Sequence, residues 1–218
     1  MFENVTVIGA GRAGSAIAAR LRERGIAVGD DGELRLLCVP DRAIAEVASS
    51  IEPGPWVAHV SGGTPLAALD PHVRRFTVHP LQTLTRSRGA EQLDGAWGGV
   101  SAETPEARER GRWLAETLGL RPFDLADDRR ALYHAGAAIA SNYLVTLYRV
   151  ASRLVAEAGA PPDALVPLMR RTIENGFELT GPIARGDWAT VDAHVHAIRA
   201  DAPELEELYV TLAEATRP

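Results

Sequence analysis

The chain has 218 residues, of which 46% are apolar, and a formal net charge of −6. That length fits one or two domains with a proper core, and the mild acidity without a basic block argues against a nucleic-acid partner. No apolar run reaches membrane-spanning length, and the absence of any lysine excludes mechanisms that need a lysine acid, base or Schiff base.

In chain order, the first element is an apolar strand, Val5-Thr6-Val7-Ile8, running into Gly9-Ala10-Gly11-Arg12-Ala13-Gly14. Ser15 to Leu21 continue as a helix. Strand, glycine turn and helix start in this order are the opening of a dinucleotide-binding fold. Gly9 makes the tight turn, Gly11 admits a pyrophosphate and Gly14 lets helix and strand pack closely. The chain opens on this core strand with no signal-peptide pattern, so a cytoplasmic location is expected. Ile26-Ala27-Val28 is a possible second strand, and Leu34 to Val39 is already the next. The intervening residues 29–33 reach at most about 17 Å, whereas a parallel crossover usually takes about a dozen residues. A crossover helix is therefore missing, and Asp30 and Asp31 read as turn residues rather than ribose ligands. Cys38, the single cysteine, lies in the third strand and reads as a core residue.

Asp41 is expected to cap a helix over 43–48. Strands follow at 56–60, 75–78 and 97–100, and Thr104-Pro105 opens a helix running to Leu118. Residues 121–125 form a last edge strand. From Asp127 to Ala158 nothing stops a helix, and its apolar sides predict a central, largely buried element of an all-helical domain. Helical segments are expected at 163–176, 188–199 and 204–215. The expected fold is thus α/β plus all-α. Residues 1–126 form a Rossmann-type parallel sheet with a shortened second βα unit, and 127–218 form a helical dimerisation and substrate domain.

In such sheets ligands lie beyond the carboxyl ends of the strands. Those ends carry Gly9 to Gly14, Val39-Pro40-Asp41, Ser61-Gly62-Gly63 and His79-Pro80. This convergence predicts a cleft along one sheet edge, roofed by the helical domain. His79 is a candidate acid or base, or else a loop residue fixing the backbone before a proline. Ser61 is a contact for phosphate, amide or water rather than a nucleophile, since no Gly-x-Ser-x-Gly elbow surrounds it. His134 and Asn142 lie eight residues apart on the long helix, about 12 Å of rise and roughly 80° of rotation. Asn142 is either a buried hydrogen-bonder or a ligand contact; His134 is either a core histidine or a catalyst. Arg185, in the turn-rich segment 180–187, closes a turn with Asp187 or clamps an anion. His194 and His196 point to different helix faces, and no spacing resembles a metal site.

Taken together, Gly9 to Gly14, Val39-Pro40-Asp41, Ser61-Gly62, His79-Pro80-Leu81-Gln82-Thr83, Tyr133-His134-Ala135, Ser141-Asn142-Tyr143-Leu144 and Thr180 to Asp187 resemble the Rossmann-like family whose C-terminal half is domain of unknown function 2520. That family is similar to the 6-phosphogluconate dehydrogenase, ketopantoate reductase and pyrroline-5-carboxylate reductase group. The resemblance implies an NAD(P)-binding N-terminal domain, a helical domain that forms a homodimer, and oxidoreductase activity on a small molecule. The β-hydroxyacid dehydrogenases in that group use a lysine one helical turn before an asparagine. Asn142 matches the asparagine, but Ala138 stands at the lysine position. Proton transfer then falls to His134, His79 or water.

The resulting expectation is an oxidoreductase that passes hydride between NADP, or NAD, and a small carbonyl or imine compound. Gly9, Gly11, Arg12, Ala13 and Gly14 would hold the pyrophosphate; Val39, Pro40, Asp41, Ser61 and Gly62 would lie beside the ribose-nicotinamide half. His134, Asn142 and His79 are the catalytic candidates and Arg185 the substrate contact. The preference for NADP rests on Arg12 and on the lack of a ribose acid. The alternative is a non-catalytic nucleotide- or metabolite-binding protein that has lost full cofactor binding, which the missing helix and missing lysine favour.

Overall fold

The alternating residues at the start of the chain form β1 (Asn4–Ile8), and the glycine turn leads into α1 (Arg12–Glu23). The computed structural model describes residues Met1–Pro218 and divides them into two compact units, Met1–Ile139 and Ala140–Pro218. In the first unit the chain continues through β2 (Ala27–Val28), β3 (Leu34–Leu37), α2 (Ile44–Ser49), β4 (Trp56–His59) and β5 (Arg75–Leu81). Then come β6 (Trp97–Ser101), α3 (Pro105–Thr117), β7 (Arg121–Asp124) and α4 (Arg130–Ala138). The strands make one sheet in the order β2-β1-β3-β4-β5-β6-β7, parallel except where β6 meets β5.

Both faces of this sheet are covered, which is why β3 and β4 read as almost continuous apolar runs. On one face Leu34, Leu36, Ala58, Phe76 and Val100 pack with Ile17 and Leu21 of α1 and Leu114 of α3. On the other, Leu37 and Val57 pack with Ile44 and Ala48 of α2 and with Leu69. As the sequence predicts, the Thr104 side chain caps α3 by accepting from the Ala107 N–H at 3.1 Å.

The shortened second unit has a specific geometry. β2 pairs only with the first two residues of β1, through Asn4↔Ala27 and Val5↔Val28, while β3 lies on the other side of β1 with Val5↔Leu34. The chain needs to cover only two strand spacings, about 10 Å, which five residues reach without a helix. Gly32 lies against β1: its N–H donates to Thr6 Oγ1 at 2.9 Å, and a Cβ there would stand 2.4 Å from the Thr6 nitrogen. Arg35 fastens the crossing by donating to Thr6 Oγ1 and to the Asp30 carbonyl. Asp31 is fully exposed in the bend.

The helical stretch departs from expectation in two ways. It is not one uniform α-helix: α4 is followed by a π turn, Ile139–Tyr143, and then α5 (Leu144–Glu157). Nor is it buried, since Tyr143, Val145 and Leu147 stand well exposed and α5 contains no buried residue. Apolar periodicity reports a face that seeks cover, not that the chain itself supplies it. The units divide after Ile139 rather than near 126, because Arg130 and Tyr133 of α4 are bonded to the sheet.

The second unit continues with α6 (Leu165–Glu174), α7 (Gly181–Ala184), α8 (Trp188–Asp201) and α9 (Glu206–Ala215). Val191, Ile198, Ala202 and Ala213 are buried, and His194 Nδ1 bonds Tyr209 Oη at 2.7 Å to tie α8 to α9.

Gly32→Ala is expected to cost about 1–3 kcal/mol, because β1 backbone cannot yield to the added methyl group. Urea unfolding measures this, and an unchanged midpoint would show that the crossing relaxes freely.

Candidate functional site

The carboxyl ends of β1, β3, β4 and β5 lie side by side because these strands are parallel neighbours. At the end of β1, Gly9 has φ +112°, and a Cβ there would meet the Cys38 carbonyl oxygen at 2.5 Å. Gly14 is equally constrained, since its Cβ would fall 1.8 Å from the Gly9 oxygen. Gly11 differs: a Cβ there meets nothing within 4 Å, so it faces open space. α1 begins with no side-chain cap and no acidic residue in its first turn. Its free N–H groups and positive dipole end suit an anion. Arg12 beside it is exposed and Ala13 half-buried.

Val39 packs against Gly9, and Pro40 and Asp41 are exposed just beyond. Asp41 is not the helix cap expected. It begins a 3₁₀ turn, Asp41–Ala43, ahead of α2, so it already lies inside helical backbone and its side chain caps nothing. Cys38 is buried with its thiol pushed up to about 12, which suits a core residue.

The ends of β4 and β5 carry a polar cluster. Register sets Leu37, His59, Thr77 and Ser101 in one row across the sheet. Arg130 of α4, only 1% exposed, lies across this row and donates to Thr77 Oγ1 at 2.7 Å, to Ser101 Oγ at 2.9 Å and to the Ser61 carbonyl. His59 is fully buried; its Nδ1 accepts from the Ser61 N–H at 3.2 Å, while Nε2 faces the Pro65 backbone without a well-aligned bond. The Ser61 hydroxyl accepts from the Thr64 N–H at 3.0 Å and donates to Thr64 Oγ1 at 2.9 Å, so it is engaged within its own turn.

His79 and His134 meet over that turn. Their rings are 6.1 Å apart and nearly perpendicular, and a Cβ on Gly62 would stand 2.8 Å from His79 Nε2 and 2.7 Å from His134 Cδ2. Only a residue without a side chain leaves room for both imidazoles. His79 Nδ1 bonds Tyr133 Oη at 2.7 Å. Burial first, then the positive Arg130, draw His79 down to about 4, and the same two causes in the same order draw His59 down to about 4. Burial pushes the Tyr133 phenol up to about 12. At neutral pH His79 and His59 are therefore neutral imidazoles beside one fixed cation, Arg130.

The structure thus gathers Ser61, Gly62, His79 and His134, with Asp41 within electrostatic range of His79. In the second unit, Asn142 sits in the π turn, exposed, and its Oδ1 accepts from Ser141 Oγ at 3.0 Å. The exposure excludes a buried structural role for it within the chain. Arg185 is also exposed; the turn around it is closed by Asp187, which caps α8 by accepting from the Thr190 N–H at 3.2 Å. His194 and His196 bond to different partners, and no group of three or more His, Cys, Asp or Glu side chains is arranged to hold a metal ion.

Sequence reasoning missed Arg130, Tyr133 and His59 as members of the cluster. A polar His59 closing the otherwise apolar Trp56-Val57-Ala58 was the available signal. Nothing distinguished Arg130 from its exposed neighbour Arg129.

A mostly parallel sheet whose first strand feeds a glycine turn and an uncapped helix defines a Rossmann-type fold. Residues 97–216 match the family described as domain of unknown function (DUF2520), and the chain belongs to it. No curated protein matches the chain. Among solved structures it is similar to a candidate NADP oxidoreductase from Bacteroides fragilis, at 22% identity and TM-score 0.80, covering 98% of this chain and 97% of that one. It is also similar to a semialdehyde dehydrogenase NAD-binding protein from Cupriavidus necator solved with calcium and NAD, at 19% identity and TM-score 0.64, covering 97% and 99%. The 1-pyrroline-5-carboxylate reductase of Streptococcus pyogenes matches at 14% identity and TM-score 0.62, covering 98% and 96%. At these identities the likeness establishes the fold. No helix of the chain is long and apolar enough to cross a membrane.

The two depressed histidines fix a pH dependence. Unfolded, both titrate near 6.5; folded, near 4. Between those values the unfolded chain binds more protons, so their contribution is complete above about pH 6.5 and is lost as the pH falls toward 4. Urea midpoints should drop across that window, and His79→Gln should flatten the slope. An equally steep slope in the variant would remove His79 from the account.

Proposed function

We propose that the protein is an oxidoreductase that uses a nicotinamide dinucleotide, with NADP preferred, to reduce a small carbonyl or imine compound. One observation carries this reading: the Gly9–Gly14 turn opens an uncapped helix start onto free space at Gly11, beside the polar ends of β3, β4 and β5. Gly9, Gly11, Arg12, Ala13 and Gly14 hold the pyrophosphate. Val39, Pro40, Asp41 and the Ser61-Gly62 turn border the ribose-nicotinamide half, with Ser61, whose N–H, carbonyl and hydroxyl are all engaged, holding the shape of that turn. When bound, the nicotinamide supplies or accepts hydride. His79 and His134 handle the accompanying proton.

The preference for NADP follows from charge. Exposed Arg12 stands at the helix start, whereas Asp31 is directed to solvent with Arg35 at 3.8 Å. A 2′-phosphate at this helix start would meet a cation, which supports NADP over NAD.

Calorimetric titration of the tag-free chain with NADPH and NADH tests this directly, and micromolar binding is expected. A Cβ at Gly11 meets no protein atom, so Gly11→Asp should keep the unfolding midpoint while weakening NADPH binding by tenfold or more, about 1.4 kcal/mol. No binding of either nucleotide at millimolar concentration would favour the second reading, a metabolite-binding protein that has lost the dinucleotide. The five-residue crossing that replaces a helix is the feature that supports that alternative.

We also propose that the chain forms a homodimer through its helical unit, where Tyr143, Val145, Val166, Leu168 and Ile173 are exposed. Sedimentation should show twice the chain mass at micromolar concentration, and Leu168→Asp should reduce it to the monomer. A monomeric wild-type protein would overturn this.

A further inference from the structure

We propose that Tyr133 locks His79 in the tautomer that carries its proton on Nε2, and that the pair forms a proton relay to a ligand oxygen or nitrogen bound beside Gly62. Tyr133 Oη has one protein partner, His79 Nδ1 at 2.7 Å. The phenol keeps its proton, and Nδ1 is the protein acceptor within its reach, so the bond is assigned with Tyr133 donating. Nδ1 is then the lone-pair nitrogen, and the ring hydrogen resides on Nε2. That nitrogen takes no protein partner, is not among the buried unpaired atoms, and lies against Gly62, whose missing side chain leaves room beside it.

The charged surroundings favour a neutral donor. Arg130 and His134 from α4 and His59 from β4 face His79, with Asp41 beyond β3 as the one opposing charge. Arg130 disfavours an imidazolium at His79 and, by the same field, favours negative charge on Tyr133. A neutral imidazole is a weak acid by itself, but a phenol on its far nitrogen replaces the proton it gives away. The cation that suppresses one ionisation therefore assists the other.

This last step rests on the oxidoreductase reading. When hydride reaches the carbonyl carbon, the π pair moves to oxygen, and that oxygen takes the Nε2 proton. Nδ1 takes the hydroxyl proton of Tyr133, and the phenolate, held near Arg130, regains a proton from water. Tyr133 touches neither substrate nor cofactor, so it is a positioning and relay residue.

The test is nitrogen-detected NMR of the histidine rings in the ligand-free protein, with His79 assigned by loss of its signals in His79→Gln. Expected is a protonated Nε2 and an unprotonated Nδ1, unchanged from pH 8 to pH 5. In Tyr133→Phe the two tautomers should average, and the ring should titrate about one unit higher, because a bond that favoured the neutral form is gone. A protonated Nδ1, an imidazolium at pH 7, or identical His79 signals in Tyr133→Phe would each overturn the relay. The wild-type spectrum decides the tautomer even where the variant fails to fold. Because no nucleotide is present, failure of NADPH binding would leave this result standing, and failure here would leave the cofactor assignment standing.

Discussion

A guanidinium removed from water must have its hydrogens taken up or its charge answered, and Arg130 sets the terms for the rest of the first unit. It joins β5 through Thr77, β6 through Ser101 and the turn after β4 through the Ser61 carbonyl. Its nearest carboxylate, Asp127, stands 3.9 Å away and is itself occupied with the Leu66 N–H at 3.0 Å. The positive charge is thus only partly answered where it sits. Such a group is costly to bury and more costly to lose one partner of, so it constrains every element it touches. It fixes where α4 lies against the sheet and holds the Ser61 turn in place. Behind burial, its charge is the second cause that keeps two imidazoles neutral.

Parallel topology does the complementary work. Strands running the same way deliver their ends to one edge, so residues distant in the chain arrive together without long loops. The glycine turn after β1 brings exposed amide hydrogens, the end of β3 brings Asp41, and the ends of β4 and β5 bring His59, the Ser61-Gly62 turn and His79. One half of this edge is suited to an anion and the other to moving a proton.

Much of this fold is legible from residue patterns alone, for identifiable reasons. Gly9 and Gly14 announce themselves because no other residue satisfies the backbone there, and Thr104-Pro105 because capping is local. The missing crossover helix follows from chain length by arithmetic. What was hidden is non-local. Whether Asp41 caps a helix depends on a single 3₁₀ turn, and whether the apolar face of residues 144–147 is covered depends on layers that the periodicity does not report. Arg130 and Arg129 are adjacent and chemically identical, yet one is buried and the other exposed. Only the lateral register of β5 and β6, which sets Thr77 beside Ser101, creates the place that receives the first of them.

The two margins of the sheet share a property that follows from the same economy of chain. On one side β2 contributes two residues, and on the other β7 is Arg121-Pro122-Phe123-Asp124, charged at both ends and with a proline that offers no N–H. Neither margin gives a second polypeptide a row of free amides long enough to dock against. Copies of this chain, even when crowded, are therefore denied edge-to-edge strand addition, the route by which open sheets grow into aggregates.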